Sequence, residues 1–84
     1  MQTIKLYDYN PSMGKLIDVS HPLDYLKEHN NYATYIYADK LIMNHRKFLN
    51  QNDTYYIMCS KGHLSKKVVH MLSYYGYNVV QVIK

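Results

Sequence analysis

The sequence contains no tryptophan, one phenylalanine, one cysteine, two prolines and three glycines in 84 residues. A single cysteine cannot close an internal disulfide, so the chain is not a stapled secreted scaffold, and the cytoplasm is the expected compartment. The same scarcity leaves no Cys-x-x-Cys pair, and the five histidines form no His-x-x-x-His pair, so no metal is expected. With so little proline and glycine there is no linker, low-complexity tract or repeat. No window approaches the roughly 18 apolar residues of a membrane span, and Met1-Gln2-Thr3-Ile4-Lys5-Leu6 lacks the apolar stretch of a signal peptide.

Tyrosine is abundant instead, with eleven copies, and the net charge is +4. Tyrosine has a large apolar body and a polar tip, which suits half-buried positions at a core edge. The positive charge favours anionic partners in general. Neither a recognition-helix pattern nor an aromatic RNA-binding signature is present, so no nucleic-acid partner is expected. Eighty-four residues make one domain with a thin core.

Strand and helix signals alternate along the chain. Thr3 to Tyr7 alternates in polarity and reads as a strand, followed by a turn at Asn10-Pro11-Ser12-Met13-Gly14. Leu16 to Val19 is a short buried strand. Ser20-His21-Pro22 opens a helix to about His29, with Leu23 and Leu26 expected to face inward. Thr34 to Tyr37 is a β-branched and aromatic strand, and a helix follows from about Lys40 to Leu49 with Asp39 as its expected cap. Tyr55 to Met58 is the best central strand. Ser65 is expected to cap a helix reaching Tyr75, with Val68, Val69, Leu72 and Tyr75 on its apolar face and Gly76 as the left-handed residue past its end. Val79 to Ile83 is the last strand. This alternation predicts an α/β fold with a mostly parallel sheet between helices. The loops after parallel strands gather at one sheet edge, where Cys59 lies.

The chemistry concentrates at Cys59-Ser60-Lys61-Gly62-His63-Leu64-Ser65. A buried strand ends at Cys59, Gly62 permits a sharp turn, and a helix begins near Ser65. Backbone N–H groups in such a turn converge into an anion-binding nest, and the helix N-terminus adds partial positive charge. Lys61, Lys66 and Lys67 raise the local potential further. These effects favour thiolate over thiol, and the thiolate is the nucleophile. His63 adds a further positive charge when protonated, or is a bystander. A cysteine phosphatase needs an arginine six positions after its cysteine to clamp phosphate; that position is Ser65, which argues against phosphatase activity.

The pattern Cys59-x-x-Gly62-x-x-Ser65 after an apolar strand resembles the rhodanese homology family of single-cysteine sulfurtransferases. The likeness continues through Lys66-Lys67-Val68-Val69-x-x-Leu72-x-x-x-Gly76-Tyr77-x-Val79. Leu16-Ile17-Asp18-Val19-Ser20 resembles the family's Asp-Val-Arg segment. His29 and Ala33 match the His and Ala of its Gly-His-Ile-Pro-Gly-Ala segment. The resemblance implies a three-layer α/β/α fold with about five strands, lacking some flanking helices. It implies no cofactor. It makes Cys59 a persulfide carrier that takes sulfur from thiosulfate or another small sulfur-containing anion and passes it to a thiol or cyanide acceptor. The amides from Ser60 to Ser65 would hold the sulfur anion, Lys61 would attract the donor, and Asp18 would support the loop from behind. Leu64 and Ser20 stand where many members carry arginine, and Asn31-Tyr32 replaces Pro-Gly. The alternative is therefore a catalytically weak interaction or redox-sensing domain of the same fold. The family's helix near the N-terminus and its final helix find no match, so a homodimer or an acceptor protein is expected to cover the surface they leave.

Overall fold

The apolar run before Cys59 becomes the middle of the sheet. The computed structural model describes residues 2–84. Its strands are β1 (Thr3–Lys5), β2 (Lys15–Asp18), β3 (Thr34–Tyr35), β4 (Thr54–Met58) and β5 (Asn78–Ile83). They lie in the spatial order β1-β5-β4-β2-β3, and every neighbouring pair is parallel. The helices are α1 (Pro22–Lys27), α2 (Ala38–Met43), α3 (His45–Phe48) and α4 (His63–Tyr74). No helix among the described residues is long and apolar enough to cross a membrane.

Connection handedness assigns the layers. The chain steps outward from β2 to β3, then returns across β2 to β4 and continues to β5. Parallel crossovers are right-handed, so the outward step places α1 on one face and the return steps place α2 and α4 on the other. Strand alternation fills both sides. Tyr55 and Ile57 of β4 join Ile17, Leu41, Val68 and Leu72 on the α2–α4 side, while Tyr56 and Met58 meet Leu16, Val80 and Val82 on the other. A central parallel strand is buried on both faces, and β4 meets that requirement from Tyr55 to Met58.

Several local expectations need correction. The first strand ends at Lys5, and Leu6–Asp8 turns into a short 3-10 helix. Leu23 and Leu26 point to solvent, at 64% and 76% exposure. Their helix ends at Lys27 and meets the sheet through Tyr25, whose ring stacks on Tyr35 at 3.9 Å, so the stripe three residues apart falls on the outer side. β3 stops at Tyr35, although the chain still runs beside β2 through the Ile36 N–H to the Asp18 carbonyl. The next helix starts at Ala38, leaving Asp39 inside its first turn rather than at the cap. It also breaks at Asn44, whose side-chain amide donates to the Lys40 carbonyl and closes α2. Tyr75 lies past the end of α4, outside the core, stacked on His45. Gly76 does take the left-handed conformation expected of it, with φ 93°.

Gly14 joins the turn to β2. Its carbonyl accepts from the Tyr9 hydroxyl at 2.6 Å, its φ is 153°, and a Cβ at this position would collide with the Thr54 carbonyl oxygen. Gly14→Ala is therefore expected to lower stability by about 2 kcal/mol or more. Gly76→Ala, which meets only the tip of the Gln51 side chain, should lose about 1 kcal/mol. Urea denaturation of both variants checks the order; equal losses would show that backbone collision contributes nothing at Gly14.

Candidate active site

Strand alternation determines where the thiol goes. Cys59 follows Tyr55 and Ile57 in parity, so its side chain faces the α4 side just beyond the end of β4. The chain then needs a reversal tight enough to start a helix over that side. Gly62 supplies it with φ 82° and ψ −14°, a left-handed conformation at the helix N-cap. Nothing lies within 4 Å of a Cβ built on Gly62, so backbone conformation and not crowding selects glycine there.

The result is a sulfur beneath a helix N-terminus. The Gly62 N–H donates to Cys59 Sγ at 3.1 Å and the Ser65 N–H does so at 3.2 Å. Ser65 Oγ lies 3.3 Å from the same sulfur. The first N–H groups of a helix lack intrahelical partners, and here the sulfur serves as acceptor for one of them. Ser65 is thus the third residue of α4 and not its cap; it turns its hydroxyl back toward the loop, 3.2 Å from the Gly62 carbonyl oxygen.

The other loop residues divide. Lys61 and His63 are exposed, as are Lys66 and Lys67. Leu64 is half-buried and packs against the main core. The Ser60 N–H, expected on the sulfur, instead donates to Ser20 Oγ at 3.0 Å. Ser20 is held in turn: its N–H donates to Asp18 Oδ1 at 2.9 Å and its carbonyl accepts from the Tyr35 hydroxyl at 2.9 Å. Burial, followed by the nearby Asp18 charge and then Tyr37 and Tyr25, raises the Tyr35 phenol above its ordinary value, so it stays a donor at neutral pH. Asp18 therefore stands behind the loop, opposite Met58 in the β2–β4 register. The amides of Lys61, His63 and Leu64 hydrogen-bond to no other described residue.

Two contributors escaped the sequence reading. One is the bracing role of Ser20 on the Ser60 amide. The other is Gln81, whose side-chain nitrogen donates to the Gly62 carbonyl and to Ser65 Oγ. A lone amide in the run Val79-Val80-Gln81-Val82-Ile83 was the available signal, because a buried polar side chain needs a partner. A recess of about 170 Å³ opens beside the cysteine loop, walled by Cys59 to Gly62 and by Val82 to Lys84. A water's share of liquid volume is about 30 Å³, so a small anion fits. A larger, mainly apolar recess of about 550 Å³ lies on the other face, between Leu6, Tyr7, His29 and Met58, away from the cysteine.

The molecule is a parallel α/β domain whose one cysteine lies at the end of a central strand, its sulfur held by backbone amides of a glycine turn and a helix N-terminus. The family is that of the rhodanese-like domain: its model matches residues 4–84, and the chain is a member. The structure is similar to SSP1007 from Staphylococcus saprophyticus subsp. saprophyticus, with TM-score 0.83 and 28% identity over 99% of this chain and 87% of that one. It is also similar to a rhodanese-like domain protein from Staphylococcus aureus, with TM-score 0.79 and 28% identity over 99% and 85% of the two chains. A rhodanese-related protein from Thermoplasma volcanium gives TM-score 0.80 and 26% identity over 99% and 84%. No curated protein matches the chain.

Removing the Ser20 hydroxyl tests the brace from β2. Ser20→Ala leaves the Ser60 amide without its acceptor and should cost about 1 kcal/mol in urea denaturation. An unchanged midpoint would mean that water replaces the hydroxyl at no cost.

Proposed function

We propose that the protein is a sulfurtransferase that carries sulfane sulfur as a persulfide on Cys59. The observation that supports this most is the pair of N–H groups, from Gly62 and Ser65, directed at one sulfur atom. Preorganised donors of this kind stabilise developing negative charge without reorganising at the moment of reaction.

The reaction balances without an external oxidant. The Cys59 thiolate attacks the outer sulfur of a donor such as thiosulfate or a persulfide; a new S–S bond forms, and the donor's own S–S bond breaks. Sulfite or a thiolate leaves with the electron pair. Cys59 then bears a terminal sulfur anion, for which the N–H groups of Lys61, His63 and Leu64 are open donors. An acceptor thiolate or cyanide attacks that terminal sulfur, and the Cys59 thiolate is the leaving group. Lys61, exposed at the rim of the recess, draws an anionic donor inward.

Leu64 bears on the choice of donor. Many family members carry arginine at the matching position, and a guanidinium binds an oxyanion through two parallel hydrogen bonds. Here an apolar side chain packs against the core instead. A persulfide donor, whose leaving group needs no oxyanion clamp, suits this site better than thiosulfate.

Incubation with a persulfide donor is expected to add one sulfur atom to the intact mass, and Cys59→Ser should abolish the adduct. Absence of an adduct with both a persulfide donor and thiosulfate would instead assign the protein to the weak or non-catalytic members of the fold, which Leu64 and Ser20 also fit. Leu64→Arg is expected to raise kcat/KM for thiosulfate roughly tenfold, the worth of one charge-assisted hydrogen bond, with little change for the persulfide donor. Equal effects on both donors would show that the arginine acts through general electrostatics.

A further inference from the structure

Gln81 sits in β5 between Val80 and Val82, buried on the same side of the sheet as α4. Its Nε2 donates to the Gly62 carbonyl oxygen at 3.1 Å and to Ser65 Oγ at 3.0 Å. Chemistry sets the orientation of this amide: a carbonyl can only accept, so the NH2 end must face Gly62. The same carbonyl also accepts from the Lys66 N–H at 3.3 Å. Gln81 and Lys66 both compete for its two lone pairs. The Ser65 hydroxyl, 3.2 Å from that oxygen, is a third donor competing for it, and its other neighbour is Cys59 Sγ at 3.3 Å.

We infer that Gln81 is a positioning residue, which aims the Ser65 hydroxyl proton at the Cys59 sulfur by donating to Ser65 Oγ and occupying the Gly62 carbonyl. This rests on Cys59 being the reactive atom, as proposed above. In the thiol state the S–H donates to Ser65 Oγ. In the thiolate state the sulfur accepts from the Gly62 N–H, the Ser65 N–H and the Ser65 O–H. Loss of the proton thus reverses one hydrogen bond instead of breaking it. With an apolar residue at position 81, the Ser65 hydroxyl turns to the vacated Gly62 carbonyl and the sulfur anion keeps two donors. The charged and titratable groups around the Cys59 loop are Asp18 at the end of β2, Lys61 in the loop, His63 and Lys66 in the first turn of α4 and Lys84 across the recess, and all are the same in every variant below.

The test is the rate of Cys59 alkylation by iodoacetamide across pH for the wild type, Ser65→Ala, Gln81→Met and the double variant, with thermal melting of each. Gln81→Met should alkylate about three- to tenfold more slowly at neutral pH, with its profile displaced upward, and Ser65→Ala at least as slowly. Because Gln81 acts through the hydroxyl, the double variant should be no slower than Ser65→Ala alone. Multiplicative slowing in the double variant, or a wild-type profile in folded Gln81→Met, overturns the inference. Gln81→Leu takes its place if the methionine variant does not fold, and an unchanged profile in Ser65→Ala is decisive without either. Alkylation requires no sulfur transfer, so this result and the sulfur adduct can fail independently.

Discussion

Side-chain alternation along β4 is the constraint on which the rest of the molecule depends. The strand is buried on both faces, so a slip of one residue would exchange Tyr55 and Ile57 with Tyr56 and Met58 and put each pair in the wrong core cluster. The register with β2 and β5 is therefore tightly specified, and it carries Cys59 to the α4 side as a consequence. The helix above has first-turn N–H groups that need acceptors, and the Cys59 sulfur lies below it as one. The strand register and the helix start thus meet at one atom, and the Ser65 N–H is not left without a partner.

The left-handed turn at Gly62 completes the arrangement. It brings the chain from the end of β4 back over the sheet within three residues, so that the Gly62 amide and the Ser65 amide point at one atom. An L-residue at that φ raises the cost of the turn, and the cost falls on the geometry of the sulfur's donors before it falls on the fold. The Cys59-to-Gly62 spacing is in this sense a chemical statement, legible before any coordinates.

Much else in the last third of the chain was legible for a similar reason: β4, α4, Gly76 and β5 carry strong, short-range signals, and the pattern of apolar residues agrees with the turn residues between them. The middle of the chain was harder. Leu23 and Leu26 have helical spacing, yet which side of α1 meets the sheet is decided by the Tyr25–Tyr35 stack, a contact between different elements. The break at Asn44 comes from a side-chain amide competing with the backbone for the Lys40 carbonyl, which periodicity does not register. Within the site, the cysteine, the glycine and the loop boundaries could be read from residues 59 to 65. The Ser60–Ser20 and Gln81–Ser65 links join residues 40 and 16 positions apart, so they exist only once strand order and register are set.

The placement of buried polarity explains why those distant links matter. Among the described residues the buried polar or charged ones are Asp18, Ser20, Ser65 and Gln81, and all four belong to the hydrogen-bond network around the Cys59 loop. Burying a polar group without a partner costs roughly 1–3 kcal/mol, and none of these side chains is left without one. A fold of this size could fill the same positions with apolar residues, as it does throughout the rest of its core. Polar residues instead converge from β2, α4 and β5 on one loop and keep its amides aimed at the sulfur. Asp18 holds Ser20, Ser20 holds the Ser60 amide, and Gln81 holds the Gly62 carbonyl and the Ser65 hydroxyl. Three elements thus fix the two ends and the middle of a seven-residue turn, and rigidity of that kind lets weak dipoles act together on a single atom.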